Sequence, residues 1–165
     1  MGSVYHLAMH ANPYAADLAD RDPFAALAET PRQIRALLDG WSDAMFERSY
    51  AAGKWSARKL LAHLAQTEVV LGTRARYALT TNGYHAQSFD QDVWMPFDEH
   101  VDARTALEVY TALRRMNLSM WGSLTDVQKN RPFYHPDFGD LTVGWIAAQM
   151  AGHDIHHYKQ FQQIK

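Results

Sequence analysis

The chain has 165 residues, 47% of them hydrophobic, and a formal net charge of −2 with its nine histidines neutral. That is about one domain's worth of sequence, 1–165, long enough to bury a sizeable core without a metal or disulfide as a staple. It contains no cysteine, which excludes disulfides, zinc–thiolate sites, iron–sulfur clusters and a protein thiol nucleophile.

In chain order, Met1-Gly2-Ser3 is either a remnant of expression or a native start, and no basic patch follows to support a lipid anchor. The first residues lack the basic start and apolar core of a signal peptide. No apolar run approaches the roughly 18 residues of a membrane span. A cytoplasmic protein with no membrane partner is expected. The densest basic spots, Arg58-Lys59 and Arg114-Arg115, read as solvated helix faces, so no nucleic-acid partner is expected.

A short helix over Tyr14–Leu18 is followed by four long periodic segments. Helix one is expected to start at Thr30 as N-cap, with Pro31 at N1 and Gln33 at N3. Its stripe Ile34, Leu37, Leu38, Trp41, Met45 continues toward Gly53. Helix two starts after Ser56 and buries Leu60, Leu61, Leu64, Thr67, Val70 and Leu71, up to the turn at Asn82-Gly83. The stretch from Tyr84 to His100 is irregular and long for a bundle loop, and could serve as a crossover or a site wall. Helix three runs from Asp102 to Leu124, with Leu107, Tyr110, Leu113, Asn117, Met120 and Trp121 inward. A loop from Thr125 to Asp140 leads to helix four, capped by Thr142, with stripe Ile146, Met150, His153, His157, Phe161, Ile164. The fold class is therefore all-α, a four-helix bundle with a long connection between helices two and three.

The last stripe holds histidines where leucines belong. His153 and His157 are four residues apart, one turn on one face. Buried imidazoles need partners, and a divalent ion supplies them. His63, beside Leu60 and Leu64 on helix two, adds a third inward nitrogen if helices two and four touch. Three neutral ligands leave coordination positions open, as catalytic sites require. His156 could replace His157 on spacing alone, although His157 fits the four-residue interval better. His6, His10, His85, His100 and His135 read as surface histidines, the last three able to line a site mouth. Asp154 points off the ligand face and is a candidate only for hydrogen bonding to a ligand's distal nitrogen, while Glu68 reads as a surface charge. Asp90 and Asp92 are the candidate catalytic residues, either as acid–base groups or as anchors of the long loop. There is no His-Glu-x-x-His and no Glu-x-x-His pair, so a mononuclear site fits better than a di-iron one.

Gly53-Lys54-Trp55-Ser56 with Leu60-Leu61-Ala62-His63-Leu64, and His153-Asp154-Ile155-His156-His157-Tyr158 with Gln160 or Gln162-Gln163-Ile164 beyond, resemble the two histidine blocks of the DinB-like superfamily. Within it the pattern resembles the YfiT-type branch of metal-dependent hydrolases. Asn12-Pro13-Tyr14, Asp22-Pro23, Phe89-Asp90-Gln91-Asp92-Val93-Trp94 and Phe138-Gly139 are also similar, so the resemblance spans Asn12 to Ile164. It implies His63, His153 and His157 as ligands to one divalent metal ion, zinc or nickel first, iron or manganese also. It also implies a bundle of unusual connectivity and, with the chain's high aromatic content, a homodimer.

The expected function is a metal-dependent enzyme on a small-molecule substrate, working as a hydrolase through metal-activated water. One alternative is a transferase that imports a low-molecular-weight thiol cosubstrate, as relatives similar to bacillithiol, mycothiol or glutathione enzymes and to thiol-dependent maleylpyruvate isomerases would imply. Arg74, Arg76 and Arg131 are candidates to hold such a thiol's polar groups. The other alternative is a non-catalytic metal-binding stress-response protein. An enclosed pocket over the metal, lined by Trp94, Phe97 or Tyr134, would favour an enzyme.

Overall fold

Side-chain caps set where every helix after the first short turn begins. The computed structural model describes residues 12–164; the readings of Met1-Gly2-Ser3, His6 and His10 lie outside the described residues. Asn12 Oδ1 accepts from Tyr14 N at 2.9 Å, just before the single turn α1, Ala15–Leu18. Helix α2 spans Pro23–Leu38, with Asp22 as N-cap accepting from Ala25 N at 2.8 Å and Pro23 in the first turn.

This start corrects the expected N-cap at Thr30, because Thr30 and Pro31 lie inside α2. A proline inside a helix removes the hydrogen bond to the carbonyl four residues earlier, here that of Leu27. Leu27 O instead accepts from the guanidinium of Arg114 at 3.0 Å, so the interruption is satisfied from another helix. The expected continuation to Gly53 is also corrected. α2 ends at Leu38, Gly40 takes φ +75°, and a separate turn α3, Asp43–Phe46, follows under a Ser42 cap.

Helix α4, Ala57–Thr80, starts after Ser56 as expected. The stretch read as irregular contains a helix, α5, Gln91–Asp98, capped by Asp90 and carrying Pro96. Helix α6, Ala103–Ser123, starts on Asp102. Its buried face is Ala103, Ala106, Tyr110, Arg114, Asn117 and Trp121, which includes the expected Tyr110, Asn117 and Trp121, whereas Leu107, Leu113 and Met120 of the expected stripe are only half-buried. The short α7, Asp126–Lys129, is held by a Thr125–Gln128 capping box. The segment read as a loop next forms an antiparallel hairpin, β1 Pro132–His135 and β2 Gly139–Thr142, with Pro132 opposite Thr142 and His135 opposite Gly139. Thr142 then caps the last helix, α8, Val143–Phe161.

The architecture is an all-α bundle of α2, α4, α6 and α8 with one small hairpin among the described residues. The long helices in close contact are α4 with α6, α2 with α8, α4 with α8 and α2 with α6. Around the bundle the order is thus α2, α6, α4, α8. The connection through α5 joins neighbours rather than crossing over, while α2 to α4 and α6 to α8 cross the diagonals. That order brings α4 beside α8, the condition for His63 to meet the histidines of the last helix.

Two apolar clusters fill the interior. One gathers Leu18, Leu27, Trp121, Trp145, Ile146 and Met150. The other gathers Ile34, Phe46, Leu61, Leu64, Tyr110 and Phe161. Along α8, His153 and His157 fall between Met150 of the first and Phe161 of the second.

Candidate metal centre

His63 on α4 and His153 and His157 on α8 are all buried. His153 Nε2 lies 2.8 Å from His63 Nε2 and 3.0 Å from His157 Nε2. The three offer ligand nitrogens all within 4.8 Å of one another. Gly152 makes the approach of the amino-terminal segment possible: a Cβ there would stand 2.5 Å from the Tyr14 carbonyl oxygen. The Tyr14 ring consequently meets the His153 ring edge-on at 5.1 Å between centroids.

Hydrogen bonding alone does not account for this cluster. A ring nitrogen has one in-plane site, either a proton or a lone pair, so His153 Nε2 cannot make a full hydrogen bond to both neighbours. His157 Nδ1 faces Gln160 Oε1 at 2.6 Å. An amide oxygen only accepts, so Nδ1 carries the proton and His157 Nε2 points a lone pair at His153. The far nitrogens of His63 and His153 have no hydrogen-bond partner although both are buried. Burial, and then the neighbouring His153, hold His63 and His157 well below the ordinary imidazole range, so both are neutral near pH 7. Neutral imidazole nitrogens turned toward one point form a donor set suited to zinc, nickel or iron. Tetrahedral ligands at ~2.1 Å from a zinc ion lie about 3.4 Å apart, a small widening of the present distances.

A directed chain of hydrogen bonds stands behind His157. Its Nδ1–H donates to Gln160 Oε1, Gln160 Nε2 donates to His156 Nε2 at 3.0 Å, and His156 Nδ1 donates to Asp17 Oδ2 at 3.0 Å. His156 thus sits behind the cluster, as support for His157.

Next to the histidines lies a second buried polar cluster that the sequence reading missed. Arg114, read as solvated, is 1% exposed, and so is Glu68, read as a surface charge. Arg114 Nε donates to Glu68 Oε1 at 2.9 Å, Nη2 to the same oxygen and, at 2.7 Å, to Asp154 Oδ2, and Nη1 to the Leu27 carbonyl. Tyr110 OH donates to Asp154 Oδ2 at 2.7 Å, and Asn117 Nδ2 to Glu68 Oε2 at 2.8 Å. One guanidinium therefore ties all four long helices. Burial pushes the Asp154 carboxyl up, but Arg114, His153 and Tyr110 more than offset it and hold it below the usual carboxylate range. For Glu68 burial wins over Arg114 and the carboxyl lies above that range. The free oxygen of Asp154 faces His153 Nδ1 at 3.7 Å, and neither atom has another hydrogen-bond partner. A spacing of Tyr110, Arg114, Asn117 and Trp121 by four, three and four was the available signal for Arg114.

Two cavities reach the histidines. The first, about 230 Å³, exposes His63 and His153 and is walled by Tyr14, Thr67, Arg74, Phe89, His135 and Gln149 among others. The second, about 340 Å³, exposes His157 and is walled by Trp55, Asp92, His156 and Gln160 among others. Tyr14 and Gln91 border both. Aromatic cover over the first comes from Phe89 and Phe138 and not from the expected Trp94, Phe97 or Tyr134. Trp94 borders a separate cavity of about 440 Å³, with His85, and Phe97 is 85% exposed. Asp92 is exposed on the second cavity's wall, whereas Asp90 Oδ1 accepts from the backbone of Asp92 at 2.9 Å and of Val93 at 3.3 Å. His135 lines the first cavity and His100 is in solvent. Arg76 donates to Asn117 Oδ1 and the Gly72 carbonyl, and Arg131 to Asn82 Oδ1.

The sequence model of the DinB superfamily matches residues 26–161. The chain is 25% identical over 144 residues to a Bacillus subtilis protein named "Putative metal-dependent hydrolase YfiT", covering 84% of this chain and 79% of that one. It is 26% identical over 117 residues to "Putative metal-dependent hydrolase OB0413" of Oceanobacillus iheyensis, covering 70% and 68%. A solved structure of YfiT, described as a probable metal-dependent hydrolase with an unusual four-helix bundle topology, superposes with a TM-score of 0.79 at 23% identity, over 86% of this chain and 83% of that chain.

Proposed function

Starting from the chain's membership of the DinB superfamily, we propose that it is a mononuclear metal-dependent hydrolase of a small molecule, with His63, His153 and His157 as the ligands. The observation that carries this reading is the convergence of three buried Nε2 atoms at 2.8 and 3.0 Å, with the His157 tautomer fixed by Gln160. A divalent ion there supplies Lewis acidity and a water of lowered pKa. The residues do the rest. The first cavity admits the substrate toward His63 and His153, and Phe89, Phe138 and Tyr14 restrict water at its walls. Asp92 lines the second cavity beside His157, and in this reading it moves a proton to or from a leaving group that extends into that cavity. Asp90 fixes the start of α5, and hence Asp92, through its cap bonds. Two relatives named as metal-dependent hydrolases support the reaction class.

A thiol-transferase reading has one observation in its favour. Two separate cavities open onto a single histidine cluster, as a thiol and an electrophile would require. A homodimer would cover the apolar side chains exposed on α4, α5 and α6, among them Val69, Trp94, Phe97, Val109 and Met116. The deciding experiment is turnover of an ester and amide panel by zinc- and nickel-loaded protein, with and without added glutathione or bacillithiol. Thiol-independent hydrolysis, lost in Asp92→Asn by about 10²-fold or more, is the expected result. Conversion of epoxide or halide electrophiles only when thiol is present would replace hydrolysis with transfer.

A further inference from the structure

Arg74 is a buried cation with no ion pair among the described residues. It is 5% exposed, its only hydrogen-bond acceptor among those residues is the Gln87 carbonyl at 2.7 Å, and the Asp137 carboxylate acts on it only from beyond ion-pair range. Arg114, the other deeply buried arginine, contacts two carboxylates. A desolvated guanidinium with one neutral partner is unfavourable unless an anion completes it. Arg74 lines the cavity that exposes His63 and His153. Two further polar atoms there are buried without a partner, Thr67 Oγ1 and Gln149 Oε1.

On this basis, and resting on the metal-centre reading above, we propose that the cavity takes a small monoanionic carboxylate compound. Its carboxylate binds Arg74, and its other end lies over the histidine cluster. A guanidinium matches a carboxylate through two parallel hydrogen bonds. A single guanidinium suits a single negative charge, and the Asp137 carboxylate on the same cavity wall repels a phosphate dianion more strongly than a monoanion. The volume, about 230 Å³, falls below the roughly 300–1,000 Å³ of pockets for drug-sized ligands. Apolar surface from Leu71, Phe89 and Phe138 lies between the two ends, suiting a short hydrocarbon linker. His63, Thr67 and Arg74 follow one another along α4, and eleven residues of helix span about 16 Å. Helical side chains lean toward the amino terminus, so Arg74 reaches back toward His63 and the ligand is shorter than that span.

The test is calorimetric titration of metal-free and zinc-loaded protein with the singly charged monoamide of adipate, the uncharged diamide, inorganic phosphate, and the monohydroxamates of succinate, adipate and suberate. The monoamide is expected to bind metal-free protein at least 10-fold tighter than the diamide or phosphate. Arg74→Gln should abolish that preference and Arg74→Lys should retain part of it. Arg74→Gln should melt within a few degrees of the parent without ligand, since no ion pair is lost; circular dichroism checks its fold. Zinc should strengthen the best-fitting monohydroxamate by a further 10-fold or more. Monoamide binding no better than the diamide, or equally well to Arg74→Gln, would overturn the anion site, as would a preference for phosphate. Arg74-dependent monoamide binding with no gain from zinc upholds the anion site and overturns the metal centre instead.

Discussion

Two polar clusters lie side by side in the interior, meeting where His153 and Asp154 follow each other on α8. Both are buried; the Arg114 cluster joins four helices and the histidine cluster two. In the Arg114 cluster the donors are satisfied: the guanidinium has Glu68, Asp154 and the Leu27 carbonyl, Asn117 donates to the other oxygen of Glu68 and Tyr110 to Asp154 Oδ2, and only Asp154 Oδ1, which faces His153, is left over. In the histidine cluster three nitrogens crowd one point, and two distal nitrogens have no partner. The first pairs its charges with protein atoms and serves to fix the helices. The second leaves lone pairs and distal nitrogens open, which is the ground for the metal ion proposed there. Buried polarity by itself therefore does not mark a functional site; the atoms left unsatisfied do.

The largest effect that separates the two clusters is expected at Arg114. Arg114→Met leaves Glu68 and Asp154 buried without a counter-charge and the Leu27 carbonyl without a donor, at a cost of about 3–5 kcal/mol in urea unfolding. A loss under about 1 kcal/mol would mean that this cluster holds little together.

Acid should next separate them in metal-free protein. His63 and His157 are held well below their usual value of 6.5. Below that pH the unfolded chain takes up protons that the fold refuses. Stability is therefore complete above pH 6.5 and falls as pH drops, by ~1.4 kcal/mol per pH unit for each histidine. Asp154, held below its usual 3.8, keeps its contribution until pH falls through that lower range. Urea midpoints that stay level from pH 7 to 5 would remove the distinction.

Metal should stabilise one cluster without touching the other. Zinc or nickel at 100 times its dissociation constant adds about 2.7 kcal/mol, visible as a raised melting temperature in wild type and absent in His153→Ala. The smallest effect concerns the chain behind His157. Gln160→Ala frees its Nδ1 and should weaken metal binding about 10–100-fold in chelator competition, with urea stability nearly unchanged. Unaltered affinity would confine Gln160 to a packing role.

Much of this was legible in the sequence. Ser56, Asp102 and Thr142 announce their helices because each cap is followed by a clean apolar period. His63, His153 and His157 stand out because each sits where leucine belongs. Other features were hidden for physical reasons. Thr30-Pro31 uses the same grammar as the true start at Asp22-Pro23, and only Arg114, distant in sequence, makes Pro31 tolerable mid-helix. Arg114 and Glu68 look like surface charges until the helices are packed, since their partners lie 46 residues apart in sequence. The diagonal order of the bundle and the hairpin at Pro132–Thr142 depend on tertiary contact rather than on local pattern.

The central claim is that His63, His153 and His157 together hold one metal ion. Elemental mass spectrometry of purified protein, beside His63→Ala, His153→Ala and His157→Ala, addresses it directly. Near one equivalent of a divalent metal in wild type, or after zinc or nickel loading, and loss in each variant with the fold intact, is the predicted result. No uptake of zinc, nickel or iron by wild type, or full retention in any of the three variants, would contradict it.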